Sequence, residues 1–385
     1  MNVASKAKPD ARRVVLVGAG HAHLALILAA DRFRSAGAEL VIVDPGRFWY
    51  SGRASALLGG TIEADEDTVN IGELCAACGV RLITGRAVGL DGRERTVFLE
   101  EGQPVGYDLA SFNVGSVVGA PFPVRSDNVW PVKPVSGLLR LRQALEAARR
   151  PISIIVVGGG ASGCEIAANL AGLAERRRLD LHITLVGRGE RLLPSAPSGA
   201  GAYMERRLRA GGCRLVLGRK VDSVQGQRVV LDDGGALAFD HCVLATGLVA
   251  APLVGRLGLP VDPAGGLLVA PTLASLADAR VFAAGDCAAI DGHPLPKVGV
   301  YGVRAAPVLL ANLLSSLSGA PLRSYRPQRR FLSILDLGDG AGLALRGRLW
   351  FPGRAMGWWK RRLDGVFLAK YQRACVSARG RDTSG

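Results

Sequence analysis

The sequence is poor in aromatic residues and has no long uninterrupted apolar stretch. Aromatic side chains make up 5% of its 385 residues, so its cores must consist mainly of Val, Leu, Ile and Ala. Because no run of about 18 apolar residues occurs, the pattern predicts no transmembrane helix. The apolar share of 49% is typical of a globular chain. Its length predicts two or three domains, since one core rarely grows beyond about 250–300 residues.

Cysteine is also sparse, and its placement predicts no disulfide framework. The seven cysteines are an odd number scattered over a long chain, which is typical of a reduced cytoplasmic protein. Basic residues at 6–13 followed by the apolar stretch 14–30 resemble a secretion signal, but the Gly-x-Gly and two histidines inside that stretch favour a strand, turn and helix. We therefore expect a cytoplasmic location. No Cys/His spacing indicates a metal site.

The net charge of +15 is concentrated at the C-terminal end. From Arg323 onward there are 14 Lys/Arg against 4 Asp/Glu, a local charge of +10. No nucleic-acid-binding motif accompanies these residues, so we expect no nucleic-acid partner. The same region carries three of the five tryptophans, a mixture typical of a helix at a membrane interface. Packing of the aromatic face on the protein body is the alternative interpretation.

The first glycine-rich turn predicts a dinucleotide site. The strand VVLV at 14–17 leads into GAGHAH at 18–23, then a helix, then the strand ELVIVD ending at Asp44. Gly18 and Gly20 permit a tight turn at a helix N-terminus, and Asp44 can accept the hydroxyls of an adenosine ribose. His23 occupies the place of the usual third glycine. We expect it either to contact the cofactor or to serve in packing.

A second unit of the same kind begins at residue 152. The strand ISIIVV precedes GGGASG, so Gly158, Gly160 and Gly163 complete the full glycine pattern. The next strand, 182–186, ends in Gly187-Arg188 without an acid. Because an acid there binds the ribose of NAD whereas arginine accommodates the phosphate of NADP, Arg188, helped by Arg191, slightly favours NADPH over NADH.

A third element, VFAAGD at 281–286, is a strand that ends in Gly285-Asp286. Asp286 can hold the ribityl chain of a flavin or simply cap a helix. A helix predicted at about 299–317 would point its positive end at the flavin. Lys297, just before that helix, and Lys133, between two prolines, are candidates to stabilise negative charge on a reduced flavin.

Together these motifs resemble the pyridine nucleotide-disulfide oxidoreductase superfamily. WYSG at 49–52, NVGS at 113–116 (with Gly115 at the cofactor), VWPVKP at 129–134 and PKVGVYGVRAAPVL at 296–309 resemble the branch that contains type II NADH dehydrogenases and flavoproteins associated with selenophosphate synthetase. The resemblance implies FAD and NADH or NADPH as cofactors. It also implies an α/β fold with two Rossmann-like dinucleotide-binding domains and an appended C-terminal α+β region.

The predicted boundaries follow the motifs. We expect an FAD-binding domain at 1–135 and 255–322, an NAD(P)-binding domain at 150–250, and a C-terminal basic and aromatic region at 323–385. The expected activity is an FAD-dependent NAD(P)H dehydrogenase that reduces a small quinone-like acceptor, peripheral on the inner face of the cell membrane. The alternatives are an oxidoreductase of selenium or sulfur metabolism and a non-catalytic flavin-binding protein. The oligomeric state stays open, with a homodimer as one option.

Two departures bear on the acceptor. Arg53 follows the YSG tripeptide where the branch usually has methionine, and Gly302-Val303-Arg304 stands where quinone-reducing relatives carry an Ala-Gln pair.

The close pair Cys75 and Cys78 lies in a predicted helix, IGELCAAC, away from both glycine turns. We interpret both as apolar helix residues, so electrons should leave the flavin directly.

Overall fold

The computed structural model describes the backbone of residues 11–382 and the side chains through residue 376. The first ten residues of the predicted FAD domain and the last three of the C-terminal region lie outside it. In chain order the strands are β1 (Arg12–Val17), β2 (Ala38–Asp44), β3 (Arg47–Trp49), β4 (Thr68–Asn70), β5 (Arg81–Thr84), β6 (Ala87–Asp91), β7 (Thr96–Leu99), β8 (Val105–Gly106), β9 (Leu109–Phe112), β10 (Ser116–Val118), β11 (Val124–Arg125), β12 (Val129–Pro131), β13 (Ile152–Val157), β14 (Leu181–Gly187), β15 (Arg214–Leu217), β16 (Val221–Gln225), β17 (Arg228–Leu231), β18 (Ala236–Ala238), β19 (His241–Leu244), β20 (Leu248–Ala250), β21 (Leu267–Val269), β22 (Val281–Ala283), β23 (Ala288–Ile290), β24 (Ser333–Asp336), β25 (Gly342–Arg346) and β26 (Leu349–Gly353). The helices are α1 (His21–Leu28), α2 (Ala30–Ser35), α3 (Ala54–Leu58), α4 (Ile71–Cys78), α5 (Ser136–Ala147), α6 (Ala161–Arg177), α7 (Ser198–Ala210), α8 (Gly299–Ser318) and α9 (Arg354–Asp382).

The first domain is built on a parallel sheet of five strands in the order β22-β9-β1-β2-β5. Its central strand β1 is apolar on both faces because both faces are covered, as parallel sheets require. Helices α1, α4 and α8 pack on one face and form the largest core. The second segment of the domain contributes β22, so strands far apart in sequence meet at one sheet edge.

The second domain repeats this architecture. Its parallel sheet has the order β12-β19-β13-β14-β15. Helix α6 follows β13 directly and buries its apolar face against the sheet. The prediction of two Rossmann-like units is therefore confirmed.

Antiparallel sheets supplement both domains. Strands β6, β7 and β8 form one antiparallel sheet. The nearby strands β5 and β9 instead join the first parallel sheet, where they pair with β2 and β1. A second antiparallel element comprises β16, β17 and β18.

The C-terminal region is α+β, as predicted. Strands β24, β25 and β26 form an antiparallel sheet, and α9 packs along α4 and the first core. Leu368, Tyr371 and Cys375 are its buried contacts. The alternative in which this helix packs on the body is thus correct for one face of α9. The other face is exposed.

Helix α8 is the one described helix that is long and apolar enough to cross a membrane by length and composition, with a mean hydropathy of 1.3 over its most apolar window. It carries Arg304 and Pro307. Its inward face, from Tyr301 to Leu317, is buried in the first core. We interpret it as a core helix.

Candidate functional site

A cavity of about 630 Å³ lies at the carboxyl ends of the first parallel sheet, where ligands bind in open α/β sheets. It is bounded by the turn after β1, the end of β2, the segment after β9, the start of α8 and the Lys133-Pro134 segment. Its volume is in the range of ligand and cofactor sites. The polar and glycine residues of its wall that bear on the argument are Gly18, Gly20, His21, Asp44, Arg47, Arg86, Gly115, Ser116, Lys133, Arg256, Gly285, Asp286, Gly299 and Gly302.

The turn after β1 requires glycine for two reasons. Gly18 has φ +81°, and its N–H donates to Val43 O at 2.9 Å. Gly20 lies so close to Asn113 that a Cβ would collide with that side chain. Both glycines also border the cavity, and a turn that carries no side chain at these positions suits a close approach by a phosphate.

His23 takes the place of the third glycine by bonding to the turn. Its Nδ1 lies 2.6 Å from Gly18 O, and its Nε2 lies 2.8 Å from Ser111 Oγ. The side chain is fully buried, and burial lowers its pKa to about 4, so the ring is neutral at physiological pH. Because both ring nitrogens are bonded within the protein and the residue does not border the cavity, we assign His23 to packing rather than to cofactor contact.

Asp44 stands at the end of β2 on the cavity wall. Its Oδ2 accepts the N–H of Ala19 at 2.8 Å, and its Oδ1 accepts the N–H of Gly46 at 2.7 Å. Burial raises its pKa above the ordinary value, although both N–H groups favour the charged form. Asp44 thus stabilises the turn and leaves lone pairs that can accept ligand hydroxyls.

Asn113 connects the elements around the cavity. Its Oδ1 accepts the N–H groups of Ala22 and His23 at the start of α1, at 2.9 and 3.3 Å. Its Nδ2 donates to Ala284 O at 2.5 Å. One buried amide therefore links α1 to the segment that carries Asp286. The sequence shows Asn113 only as part of NVGS, and its position directly after a buried strand is the one local signal.

Asp286 lies in a hydrogen-bonded triad with Lys133 and Ser116. Lys133 Nζ is 2.9 Å from Asp286 Oδ2, and Ser116 Oγ donates to the same oxygen at 2.7 Å. Burial alone would raise the pKa of Asp286, but the charge of Lys133 and these two hydrogen bonds outweigh it and hold the pKa below its ordinary value. The carboxylate is ionised and borders the cavity.

The two candidate lysines differ in position. Lys133 borders the cavity, whereas Lys297 donates to the backbone oxygen of Asp286 at 2.6 Å and borders a separate small space. Helix α8 starts at Gly299 without a side-chain cap, and its first turn borders the cavity at Gly299 and Gly302. Its positive end therefore faces the cavity, as expected, and favours negative charge there.

His21 joins the cavity to an aromatic cluster. Its ring lies 5.2 Å from Phe48, 5.7 Å from Tyr50 and 5.5 Å from Phe367, measured between ring centroids. Tyr50 stacks on Phe367 at 4.9 Å. Desolvation lowers the pKa of His21 to about 4. Through this cluster the C-terminal helix α9 touches the wall of the cavity, a contact that the sequence does not reveal.

The second glycine turn has the geometry of a nucleotide turn. Gly158 has φ +133°, and its N–H donates to Val186 O at 2.8 Å. A Cβ on Gly163 would collide with Gly158 O, so this glycine allows α6 to approach β13. Above Gly160, at the start of α6, a Cβ would meet open space. These are the three roles of the glycines in a dinucleotide turn.

The arginines near this turn separate into two groups. Arg188 is exposed directly after β14. Arg191 instead bonds to the backbone oxygens of Leu193, Pro194 and Ala196. Its guanidinium stabilises a loop, so the expectation that it helps to bind a phosphate is replaced by a structural role. Arg219 lies nearby, since its backbone N–H donates to the backbone oxygen of Gly187 at 3.2 Å.

The cysteines form no redox pair at the cavity. None of the residues that border it is a cysteine. Cys75 and Cys78 lie in α4, as predicted, and burial raises the pKa of Cys75 to about 12. Cys164 and Cys287 adjoin the two sites, and burial raises their pKa values to about 12 and about 11. Neutral thiols are poor nucleophiles.

Comparisons with known proteins agree with this geometry. A family model described as pyridine nucleotide-disulphide oxidoreductase matches residues 12–306. The type II NADH:quinone oxidoreductase of Haemophilus influenzae is 30% identical over 188 residues, which cover 46% of this chain and 42% of that protein. The nitric oxide reductase FlRd-NAD(+) reductase of Vibrio vulnificus is 29% identical over 314 residues, 78% of this chain and 77% of that protein.

Among solved structures, NDH2 from Plasmodium falciparum in complex with NADH matches with a TM-score of 0.79 at 14% identity. The match covers 96% of this chain and 97% of that one. At this identity the match concerns the fold. Because it covers 96% of this chain, nearly all of the fold has a counterpart in one solved chain.

Proposed function

The chain belongs to the pyridine nucleotide-disulphide oxidoreductase family, and on that premise we propose that it passes electrons from NAD(P)H through FAD to a quinone-like acceptor. Members of this family bind FAD and NAD(P)H and are flavoprotein oxidoreductases. Beyond the family, we propose the nature of the acceptor and the roles of individual residues.

The observation that carries the proposal is the cavity that unites the first glycine turn with Asp44, Lys133 and Asp286. FAD has a pyrophosphate, an adenosine ribose, a ribityl chain with hydroxyl groups and a flavin ring that takes up negative charge on reduction. Gly18 and Gly20 would admit the pyrophosphate, with cationic support from Arg47, Arg86 or Arg256 on the same wall. Asp44 would accept the ribose hydroxyls.

The flavin end would lie near the triad. Asp286 would accept a ribityl hydroxyl, with Gly285 and Gly115 leaving room for the backbone to approach. Both glycines have positive φ, +73° and +74°. Lys133 and the positive end of α8 would stabilise negative charge on the reduced ring. Lys133 takes precedence over Lys297 because only Lys133 borders the cavity.

The nicotinamide nucleotide would bind the second turn at Gly158, Gly160 and Gly163, with its pyrophosphate at the start of α6. Arg188 favours the 2′-phosphate of NADPH, since it is exposed at the strand end where an acid would otherwise bind a ribose. When bound, FAD would accept the hydride of the nicotinamide nucleotide. The protein supplies proximity of the two rings.

A quinone-like acceptor is favoured over a disulfide because no described cysteine borders the cavity. The same observation disfavours a sulfur-transfer role that uses cysteines at the flavin. The relatives' names offer two kinds of acceptor, a quinone and a protein called FlRd. The exposed apolar surface of α9 favours the quinone, because this acceptor is the one that dissolves in a membrane.

That surface suits the face of a membrane. On α9 the side chains of Trp358, Trp359, Leu363 and Val366 are 60%, 40%, 47% and 63% exposed. Leu349 and Phe351 on β26 are exposed beside it, and arginines are interspersed. An exposed aromatic and apolar face flanked by basic residues is typical of interfacial helices. We therefore propose peripheral attachment through α9 and β26, with the opposite face of α9 packed on the body.

The acceptor spectrum tests this proposal. FAD-loaded protein would be assayed with NADH and NADPH against a short-chain ubiquinone, a menaquinone analogue, an FlRd protein and a disulfide. We expect turnover with at least one quinone and none with the disulfide. Rapid turnover with the FlRd protein and none with either quinone would overturn the proposed acceptor.

A further inference from the structure

Five exposed arginines of the C-terminal region have no partner among the described residues. Within that part of the chain, none of their guanidinium groups makes a hydrogen bond or an ion pair. We call them the arginine surface: Arg326, Arg329 and Arg330 on the segment after α8, and Arg346 and Arg348 at the tip of the β25–β26 hairpin. An exposed and unpaired guanidinium is available to an external anion.

The two segments of the arginine surface meet at Gly347, in the turn of the hairpin. A Cβ built on Gly347 would lie 3.4 Å from Cδ of Arg330. The segment after α8 therefore passes directly beside the hairpin tip. Side chains that are distant in sequence thus contribute to one positive patch.

The neighbouring sequence does not balance this charge. Residues 323–335 and 340–363 contain no Asp or Glu. Of the two acids between these stretches, Asp336 accepts a backbone N–H at 2.8 Å, and Asp339 is paired with Arg207. Both acids are engaged within the protein, so the patch keeps its positive charge.

Exposed apolar side chains share the hairpin with the arginines. Arg346 is paired with Leu349 in the register of the hairpin, and Phe351 lies two residues further along β26. Because paired residues and residues two apart point to the same side, these three side chains share one face. Leu349 and Phe351 are 60% and 58% exposed. Trp350, on the opposite face, packs against Tyr203 of α7.

The segment that carries the arginines is also in contact with the wall of the cofactor cavity. The ring of Phe331 packs edge-on against that of Tyr301 at 5.7 Å, and Tyr301 donates its hydroxyl to Gln328 O at 3.4 Å. Tyr301 lies in the first turn of α8, between Gly299 and Gly302, which both border the cavity. A partner held by the arginines would therefore lie near the α8 end of the cavity.

We propose that the arginine surface binds the phosphate headgroups of anionic phospholipids. Arginine presents a planar fork of donors that matches a phosphate, and basic residues near an anionic leaflet are attracted to it within about a Debye length. An acidic protein would also attract arginines. The exposed Leu349 and Phe351 among them favour the membrane, because apolar side chains can enter its interior.

The inference rests on the proposed peripheral attachment and adds to it a lipid class and a second point of contact. Attachment through α9 alone leaves the protein free to turn about that helix. Contact at the arginine surface as well would hold the α8 end of the cavity close to the membrane, where a quinone-like acceptor is dissolved.

Co-sedimentation with vesicles tests the lipid class. FAD-loaded protein would be mixed with vesicles of phosphatidylcholine alone or of phosphatidylcholine with phosphatidylglycerol, which is anionic. We expect wild type to bind the anionic vesicles at least about tenfold more strongly. Arg329→Gln with Arg330→Gln should lower this binding at least about tenfold, since each basic residue near an anionic surface contributes about fivefold. Binding to the neutral vesicles should stay within about twofold.

The matched control is Arg93→Gln with Arg228→Gln, which removes the same charge from two exposed arginines elsewhere on the protein. It should weaken binding to anionic vesicles less than about threefold. An equal loss in both pairs, or a wild type that binds both kinds of vesicle alike, would overturn the arginine surface and leave attachment through α9 in place. Retention on an immobilised acidic polypeptide without any preference for anionic vesicles would overturn it in favour of an acidic protein.

The proposed attachment has a separate failure. A wild type that binds neither kind of vesicle would overturn the attachment, and the arginine surface would fall with it. The proposed electron path is tested by flavin reduction, which needs no vesicle, so its failure is distinguishable from both.

Discussion

Lys133 Nζ lies 2.9 Å from Oδ2 of Asp286, although 153 residues separate them in the chain. The contact joins the segment between the two domains to the second segment of the first domain. It places one cation and one carboxylate on the cavity wall.

Lys133→Met should weaken FAD binding at least about tenfold, because a hydrogen bond from a charged group to the cofactor is worth about 1.5–3 kcal/mol. The loss of the lysine also raises the pKa of Asp286. The measurement is the FAD dissociation constant by fluorescence titration. Lys297→Met is the matched control, and it should have the smaller effect because Lys297 does not border the cavity. A larger effect of the control would contradict the assignment.

His23 should make the stability of the folded protein depend on pH. Its pKa falls from 6.5 in the unfolded chain to about 4 in the fold, so its contribution is complete above pH 6.5 and is lost as the pH falls toward 4. At pH 5 the loss is about 2 kcal/mol. His23→Gln keeps hydrogen-bonding groups but does not titrate. Thermal denaturation between pH 7.5 and 5 should show a smaller loss of stability for the variant, and parallel curves would refute this.

Nucleotide preference should depend on Arg188. Arg188→Asp removes the group that can bind a 2′-phosphate and supplies an acceptor for a ribose hydroxyl. The ratio of kcat/KM for NADPH to that for NADH should fall at least about tenfold, a change of about 1.4 kcal/mol. Arg191→Gln should leave the ratio unchanged and lower the Tm, because Arg191 bonds to loop carbonyls. An unchanged ratio in Arg188→Asp would exclude Arg188 from the site.

Membrane attachment should require the exposed face of α9. The double variant Trp358→Ser with Val366→Ser should lose most of its co-sedimentation with vesicles that contain anionic lipid, while its Tm stays close to that of wild type. Val261→Ser with Leu276→Ser, which changes two other exposed apolar residues, should sediment like wild type. Binding of wild type should weaken as salt rises. Equal sedimentation of both variants would argue against attachment through α9.

The sequence predicts the parts of this fold that depend on local pattern. Strands β1 and β13 each contain a short apolar run, and the glycine turns that follow them indicate the nucleotide sites. Asp286 and Lys133 could be named as candidates because each stands beside glycine or proline. Their contact could not be predicted, because it depends on how two sheets are placed relative to each other.

The parts that escaped prediction depend on tertiary neighbours. Nothing local distinguishes the buried Asp67 from the exposed Asp65 on the same turn, since burial arises only when α9 packs over the turn. His23 likewise replaces glycine because Ser111, on a neighbouring strand, offers a second partner. Both glycine turns and the basic and aromatic C-terminal region could be recognised from the sequence. The contact of α9 with the cavity through Phe367 needed the structure.

Anaerobic reduction of the FAD-loaded protein tests the central claim most directly. Absorbance of the flavin would be followed after addition of NADH or NADPH, and again after addition of a short-chain ubiquinone. We expect bleaching by at least one nucleotide, faster with NADPH, and full recovery of the oxidised spectrum on addition of the quinone. A flavin that neither nucleotide bleaches, or a reduced flavin that the quinone leaves unchanged, would contradict the proposed path of the electrons.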